Sequence, residues 1–104
     1  MALRLAIVSE HATRLLENAT KVFGVHGGTI GRARDNEWML PDPERYLSGK
    51  HARVDLEGQT VVLTDLKSTN GTFVNGKRVE RAELRPNEWI NIGKHILTLK
   101  AGQR

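Results

Sequence analysis

The sequence predicts an all-β fold, a sandwich or barrel of many short strands. Three observations predict it. Apolar residues recur at a period of two in several segments, which puts one face of each in a core and the other in water. Turn-forming residues separate these segments at short intervals. The 104 residues amount to one domain by size, with room for one core and little for a deep enclosed active site.

The first strand is carried by Leu3, Leu5 and Ile7, which alternate with Arg4 and Ala6. Ser9 to Glu17 breaks the pattern. It reads as a loop or one or two helical turns with Ser9 as N-cap, because an isolated helix that short is marginal in water. Thr29-Ile30 is a short strand entering a loop at Gly31-Arg32. Ala52, Val54 and Leu56 alternate with Arg53 and Asp55, and Val61 and Leu63 with Val62 and Thr64. Phe73-Val74 and Lys77-Arg78-Val79 are hairpin arms around Asn75-Gly76, a common tight-turn pair. Ile90 and Ile92 flank Asn91, and Leu97 and Leu99 flank Thr98. Gly27-Gly28, Pro41-Asp42-Pro43, Glu57-Gly58, Asn70-Gly71, Arg85-Pro86-Asn87 and Gly93 supply the remaining turns, since Gly and Asn accept positive φ and Pro presets it.

The chain has no cysteine, which excludes disulfides and thiolate metal sites. His11, His26, His51 and His95 are scattered without metal-ligand spacing, so no metal or other cofactor is expected. The apolar run Leu5 to Val8 is too short for a secretory core or a membrane span, which predicts a cytoplasmic protein without membrane insertion. A net charge of +4 and a pI near 9.9 favour an anionic partner. The basic residues are dispersed, Arg4, Arg14, Arg53 and Arg78 among them, and aromatics make up 5% of the chain. Both facts disfavour nucleic acid, which rewards basic runs and stacking rings.

Ser48 stands three residues before His51 in RYLSGKHARV, residues 45–54, and raises the question of nucleophilic catalysis. A catalytic serine needs a base in reach, a group to orient that base and an oxyanion hole. Residues three apart on a strand point to opposite faces, no Gly-x-Ser-x-Gly elbow surrounds Ser48, and no acidic residue lies at a suggestive spacing. We expect no catalytic residue, no small-molecule substrate and no enzyme activity. An anion site is the better fit. Arg32 brings a planar guanidinium able to hold a phosphate through two parallel hydrogen bonds, although alone it reads as a solvated surface arginine. Ser48 offers a hydroxyl, and amides near Gly49 offer further donors. In STNGT, residues 68–72, Asn70 can be a turn residue only, or also a clamp pairing with the N–H and C=O of a bound peptide.

Taken in order, Gly31-Arg32, Ser48-x-x-His51 and Thr69-Asn70-Gly71 resemble the forkhead-associated (FHA) domain family. The resemblance spans about residues 20–100 of a single domain covering 1–104, with residues 1–19 as first strand and loop and 101–104 as a tail or the start of a linker. It implies a β-sandwich of two twisted, mostly antiparallel sheets, about eleven short strands in all, with a loop-built peptide site at one end. It implies a non-enzymatic signalling adaptor that binds a threonine-phosphorylated protein or peptide. By resemblance Arg32 and Ser48 bind the phosphate, Thr69 shapes the site and Asn70 holds the peptide backbone. Gly31 and Gly71 supply loop geometry, and His51 braces the loops. Lys50 is supporting charge. Gly49 departs from the family, lying where many members set a longer polar or basic side chain against the phosphate. Tyr46 stands where side chains help to choose the flanking peptide. A narrower resemblance, carried by NEWMLPDP at residues 36–43, is to FHA domains of bacterial type VI secretion systems, which are regulated by a threonine kinase and phosphatase. The alternatives are a phosphate-independent scaffold of the same fold and a basic nucleic-acid binder.

Overall fold

The structure, a computed structural model, describes residues 3–7, 20–42 and 44–100. The helical turn expected at Ser9 to Glu17 and the turn residue Pro43 lie outside the described residues. Those described form eleven strands and no helix. In chain order they are β1 (Leu3–Ile7), β2 (Thr20–Phe23), β3 (Gly28–Gly31), β4 (Trp38–Met39), β5 (Ala52–Glu57) and β6 (Thr60–Asp65), followed by β7 (Thr72–Val74), β8 (Lys77–Val79), β9 (Arg81–Leu84), β10 (Trp89–Ile92) and β11 (His95–Lys100).

Six strands pair in the order β2-β1-β11-β10-β7-β8 and five in the order β4-β3-β5-β6-β9. Every pairing is antiparallel except the two-residue parallel contact of β3 with β4. The inward residues of both sheets make one core. Leu5, Ile30, Val54, Leu63, Ile90, Ile92 and Leu97 are shielded from solvent. Burying each such side chain contributes about 1.5–3 kcal/mol. The sequence-predicted alternation holds for Ile90 and Ile92 and for Leu3 and Leu5 around Arg4, whereas Ala6, which it assigns to water, is buried between Leu5 and Ile7.

Two turns show why their residues are needed. Asn75 and Gly76 have φ of 51° and 84°, the paired left-handed geometry that joins β7 to β8 with the right twist. Gly27 has φ of 65°, and a Cβ there would run into the Val54 carbonyl, so only glycine lets the chain enter β3 this close to β5.

Register decides where the loops gather. Ile30 lies opposite Ala52, and Ala52 opposite Asp65, so β3 ends, β5 begins and β6 ends at the same edge. Three connections therefore emerge together: residues 32–37, residues 40–51 and residues 66–71.

Candidate functional site

The longest of these connections, residues 40–51, is pegged into the core by two leucines. Leu40 and Leu47 are both fully buried although neither belongs to a strand. Between them the Asp42 carboxylate accepts the Leu47 N–H at 2.6 Å, and the Arg45 N–H donates to the Asp42 carbonyl at 3.1 Å. This local turn is what an aspartate followed by a short polar stretch favours.

Past Leu47 the chain runs back along the end of β3. Arg32 N–H donates to the Ser48 carbonyl, Ala33 N–H to the Gly49 carbonyl and His51 N–H to the Ile30 carbonyl, at 3.0, 3.0 and 2.9 Å. Gly31 is the condition for this approach, because a Cβ on it would collide with the Gly49 carbonyl. Asn36 closes the same junction: its Nδ2 donates to the Ala33 carbonyl at 2.8 Å and to the Gly49 carbonyl at 2.7 Å.

His51 is completely buried. Its Nδ1 accepts the Ser48 N–H at 3.1 Å, and its Nε2 lies 2.8 Å from the Gly71 carbonyl. Since an amide can only donate and a carbonyl only accept, the ring carries its proton on Nε2 and is neutral. Burial pushes its pKa below the ordinary histidine value, against the opposing pull of the Gly71 carbonyl and the Asp65 charge. Both ring nitrogens are committed to backbone, so neither is left for the Ser48 hydroxyl. That hydroxyl instead accepts the Thr69 N–H at 3.0 Å, which leaves its proton to be donated outward.

The 66–71 loop is organised by Asp65. One carboxylate oxygen accepts the Ser68 hydroxyl at 2.5 Å and the Thr72 hydroxyl at 2.6 Å, and the other accepts the Ser68 N–H at 3.1 Å. Burial alone would raise the Asp65 pKa. The hydrogen bonds from Ser68 and Thr72 outweigh it and hold the carboxyl below its ordinary value. The Ser68 hydroxyl accepts the Gly71 N–H at 3.0 Å, and Leu66 N–H donates to the His51 carbonyl at 2.9 Å. Gly71 has φ of 88° and lies under the Arg78 side chain, so it is needed both for its backbone and for its lack of a Cβ.

The outcome is a rim of donors on a rigid base. Arg32 Nε donates to the Leu47 carbonyl at 3.1 Å, which aims the guanidinium while its two terminal nitrogens make no hydrogen bond to any described residue. Asn70 donates from Nδ2 to the Tyr46 carbonyl at 2.9 Å, and its carboxamide oxygen, an acceptor, is bonded to none of the described residues. Lys50 forms an exposed ion pair with Asp35 at 3.2 Å, so its charge is partly answered within the chain. Gly49 has no positive φ, and a Cβ on it would touch only the Ala33 Cβ, at 3.9 Å. Tyr46 is exposed, with the Lys94 ammonium 4.8 Å from its ring centre and in turn paired with Glu44 at 2.7 Å. No group of three or more metal-type ligands exists among the described residues, nor any helix long and apolar enough to cross a membrane.

All nine residues singled out from the sequence, Gly31, Arg32, Ser48, Gly49, Lys50, His51, Thr69, Asn70 and Gly71, therefore lie on the three loops at one end or at their junctions with the strands. Sequence reasoning missed two polar residues that shape those loops, Asn36 and Asp65, and named Asp42 only as part of a turn, without its bond to the Leu47 amide. For Asp65 a signal existed, since an aspartate three residues before Ser68 is the pattern of a side chain closing its own turn.

Comparison with known proteins agrees with this fold. The family model described as FHA domain matches residues 28–93. The chain is 39% identical over 64 residues to the FHA domain-containing protein FhaA of Mycobacterium tuberculosis, covering 62% of this chain and 12% of FhaA. It is 34% identical over 100 residues to the FHA domain-containing protein FhaB of the same species, covering 95% of this chain and 61% of FhaB. The chain thus spans less than two-thirds of either relative. Among solved structures, one from a structural and functional study of phosphothreonine-dependent FHA domain interactions superposes with a TM-score of 0.84 at 26% identity, over the full length of both chains. The FhaA FHA domain complexed with the intracellular domain of Rv3910 superposes with a TM-score of 0.81 at 28% identity, covering 94% of this chain and 99% of that one.

Proposed function

The chain belongs to the FHA domain family, and from that membership we propose that it is a phosphothreonine-dependent protein-binding module that acts as a non-enzymatic signalling adaptor. The observation that carries the proposal is the Arg32 guanidinium, held by the Leu47 carbonyl with its terminal nitrogens bonded to none of the described residues, at the junction with Ser48. A phosphothreonine brings about −1.5 to −2 charge and three strong acceptor oxygens. Arg32 takes two of these in its fork, and the Ser48 hydroxyl donates its remaining proton to the phosphate. The Gly49 and Lys50 stretch adds backbone donors and a supporting charge. Thr69 holds Ser48 through its amide, and Asn70 offers its carboxamide oxygen to the peptide backbone. His51, Gly31 and Gly71 act beneath this surface as the scaffold.

The absence of chemistry in this reading follows from the same bonds. Ser48 and His51 are neighbours, but the link is from the serine amide to the ring, and the ring has no base to offer the hydroxyl. The finer parts of the proposal are a single domain over residues 1–104, a cytoplasmic location, and a role in threonine-kinase control of a bacterial type VI secretion system. Their support is the size of the chain, its short apolar runs, and the segment 36–43 respectively.

Titration with paired phosphorylated and unphosphorylated peptides from a threonine-oriented library tests the function. The expected result is a dissociation constant on the order of micromolar for the best phosphothreonine peptides, about −8 kcal/mol. Phosphoserine partners should bind more weakly, and the unphosphorylated forms should not bind measurably. Equal binding of both forms would make the module a phosphate-independent scaffold. Displacement of peptide by random duplex DNA, fading with salt, would point to nucleic acid instead.

A further inference from the structure

Charge in this fold is divided by sheet. The strands of the six-stranded sheet carry five cations, Arg4, Lys21, Lys77, Arg78 and Lys100, and no acid. The strands of the five-stranded sheet carry two, Arg53 and Arg81, against the four acids Asp55, Glu57, Asp65 and Glu83. Both of those arginines are paired within their own sheet, with Asp55 and Glu57. None of the five cations on the six-stranded sheet forms an ion pair with any described residue. The Arg4 Nε is shielded from solvent and bonded to no described group. Apolar exposure falls on the same side of the molecule. Val22, Val25 and Trp89 are the three most exposed large apolar side chains among the described residues, each more than half accessible. Register sets Val22 beside Arg4, Arg4 beside Lys100 and Trp89 beside Thr98. All of these point outward, since Phe23, Leu5, Leu99 and Ile90 take the inward face. Val25 lies in the turn that follows β2.

We infer that the outer face of the six-stranded sheet docks peripherally on an anionic lipid surface, with Val22 and Trp89 at the headgroup boundary and Arg4 and Lys100 between them against the lipid charge. A bilayer surface is a plane of diffuse negative charge and asks for no preformed cavity, which suits cations spread over a sheet face. Tryptophan is enriched where membrane meets water, because its ring is apolar and its N–H is polar. The net charge of +4 acts in the same direction. A second copy of the chain fits poorly, since two such faces bring like charges together. Single-stranded nucleic acid calls for successive exposed rings, and on this face Trp89 is exposed while Phe73 is half-buried. Docking here keeps the loop end clear of the lipid. β7 leaves the 66–71 loop at Thr72, opposite Ile92, and Trp89 lies three residues, about 10 Å, further along β10. Lys100 lies five residues, roughly 17 Å, beyond His95, the partner of Ile92 on β11.

The test is cosedimentation of the whole chain with vesicles of equal parts phosphatidylglycerol and phosphatidylcholine, and with vesicles of phosphatidylcholine alone, at low and rising salt. The expected result is binding to the anionic vesicles only, fading with salt. Trp38 is buried, so a blue shift of tryptophan emission on binding reports Trp89. Lys100→Gln should lower partitioning about fivefold, and Arg4→Gln with Lys100→Gln about 25-fold, at about fivefold for each charge near the lipid. Arg81→Gln removes the same charge from the other sheet and should change partitioning by less than about twofold. Lys100 is partly exposed and unpaired, so its single variant stays informative even if the double variant folds poorly. No binding to anionic vesicles, or emission that does not shift on binding, overturns the inference. Equal losses from Lys100→Gln and Arg81→Gln overturn it too, since net charge and not this face would then be responsible. A dimer in solution that occludes Trp89, or an oligothymidine that quenches Trp89 while vesicles leave it unchanged, would replace lipid with another occupant. The outcome is independent of phosphopeptide binding, which is read at the other end of the molecule.

Discussion

Replacing His51 with alanine removes a wholly buried ring that ties the 40–51 loop to the 66–71 loop. Two backbone groups lose their partners: the Ser48 N–H, 3.1 Å from Nδ1, and the Gly71 carbonyl, 2.8 Å from Nε2. A buried polar group left unpaired costs about 1–3 kcal/mol, and water reaching the vacated space offsets part of it, so the expected loss is about 2–4 kcal/mol. In a domain of this size that corresponds to a fall of roughly 10–25 °C in melting temperature. Urea denaturation of parent and His51→Ala measures it, and peptide binding should weaken with it, since Ser48 loses its brace.

A pH series sharpens the same experiment. Burial holds the folded-state pKa of His51 below its ordinary value, while the unfolded chain titrates near 6.5. In the window between those values the unfolded state carries the extra proton, so the histidine's contribution is complete above about pH 6.5 and declines as pH falls through the window. The stability gap between parent and His51→Ala should therefore be larger at pH 7.5 than at pH 5. A loss under about 0.5 kcal/mol, the scatter of ordinary surface substitutions, or a gap that widens toward acid would refute the brace and its neutral tautomer.

Gly49→Lys should leave melting unchanged, because the added Cβ meets only the Ala33 Cβ at 3.9 Å and the backbone needs no positive φ. It should tighten phosphopeptide binding about two- to fivefold in a salt-sensitive way, with unphosphorylated peptide unaffected; joint loss of melting and binding would contradict this. Gly31→Ala should cost about 1–3 kcal/mol by thermal denaturation, since its methyl group runs into the Gly49 carbonyl and forces the two segments apart. Asp65→Ala strands the Ser68 and Thr72 hydroxyls and the Ser68 amide, and should lower stability by about 1–3 kcal/mol with a larger proportional loss of peptide binding than a core truncation of equal cost.

How much of this was legible in the chain depended on whether the cause was local. Asn75-Gly76 announced its hairpin because the turn's positive φ values are a property of those two residues. Leu3, Leu5 and Ile7 announced a strand because three inward positions suffice for a period. Strands β2, β4 and β9 announced nothing, since each has a single buried residue, Phe23, Trp38 and Leu84, and one point has no period. Val62 and Thr98 occupy positions the alternation assigns to water and are buried nonetheless, Val62 lying in register between Asp55 and Glu83. Pairing of β1 with β11, from opposite ends of the chain, is a tertiary choice that neither strand encodes alone. The site divides in the same way. Arg32, Ser48, His51 and Asn70 were legible as an ordered set, whereas Asn36 and Asp42 look like any loop polar residue until the carbonyl or amide each one meets is known.

The central claim is that this end of the sandwich reads phosphate through Arg32. Calorimetric titration of one phosphothreonine peptide and its unphosphorylated twin into parent and Arg32→Ala tests that claim most directly. Charge-assisted hydrogen bonds are worth about 1.5–3 kcal/mol each, and Arg32 has two terminal nitrogens to give, so the variant should lose most of the phosphopeptide affinity, at least about tenfold. Its melting temperature should stay close to the parent's, because the bond it loses, to the Leu47 carbonyl, is one of several that hold the loop. An Arg32→Ala protein that melts like the parent and binds the phosphopeptide as tightly as the parent would contradict the account.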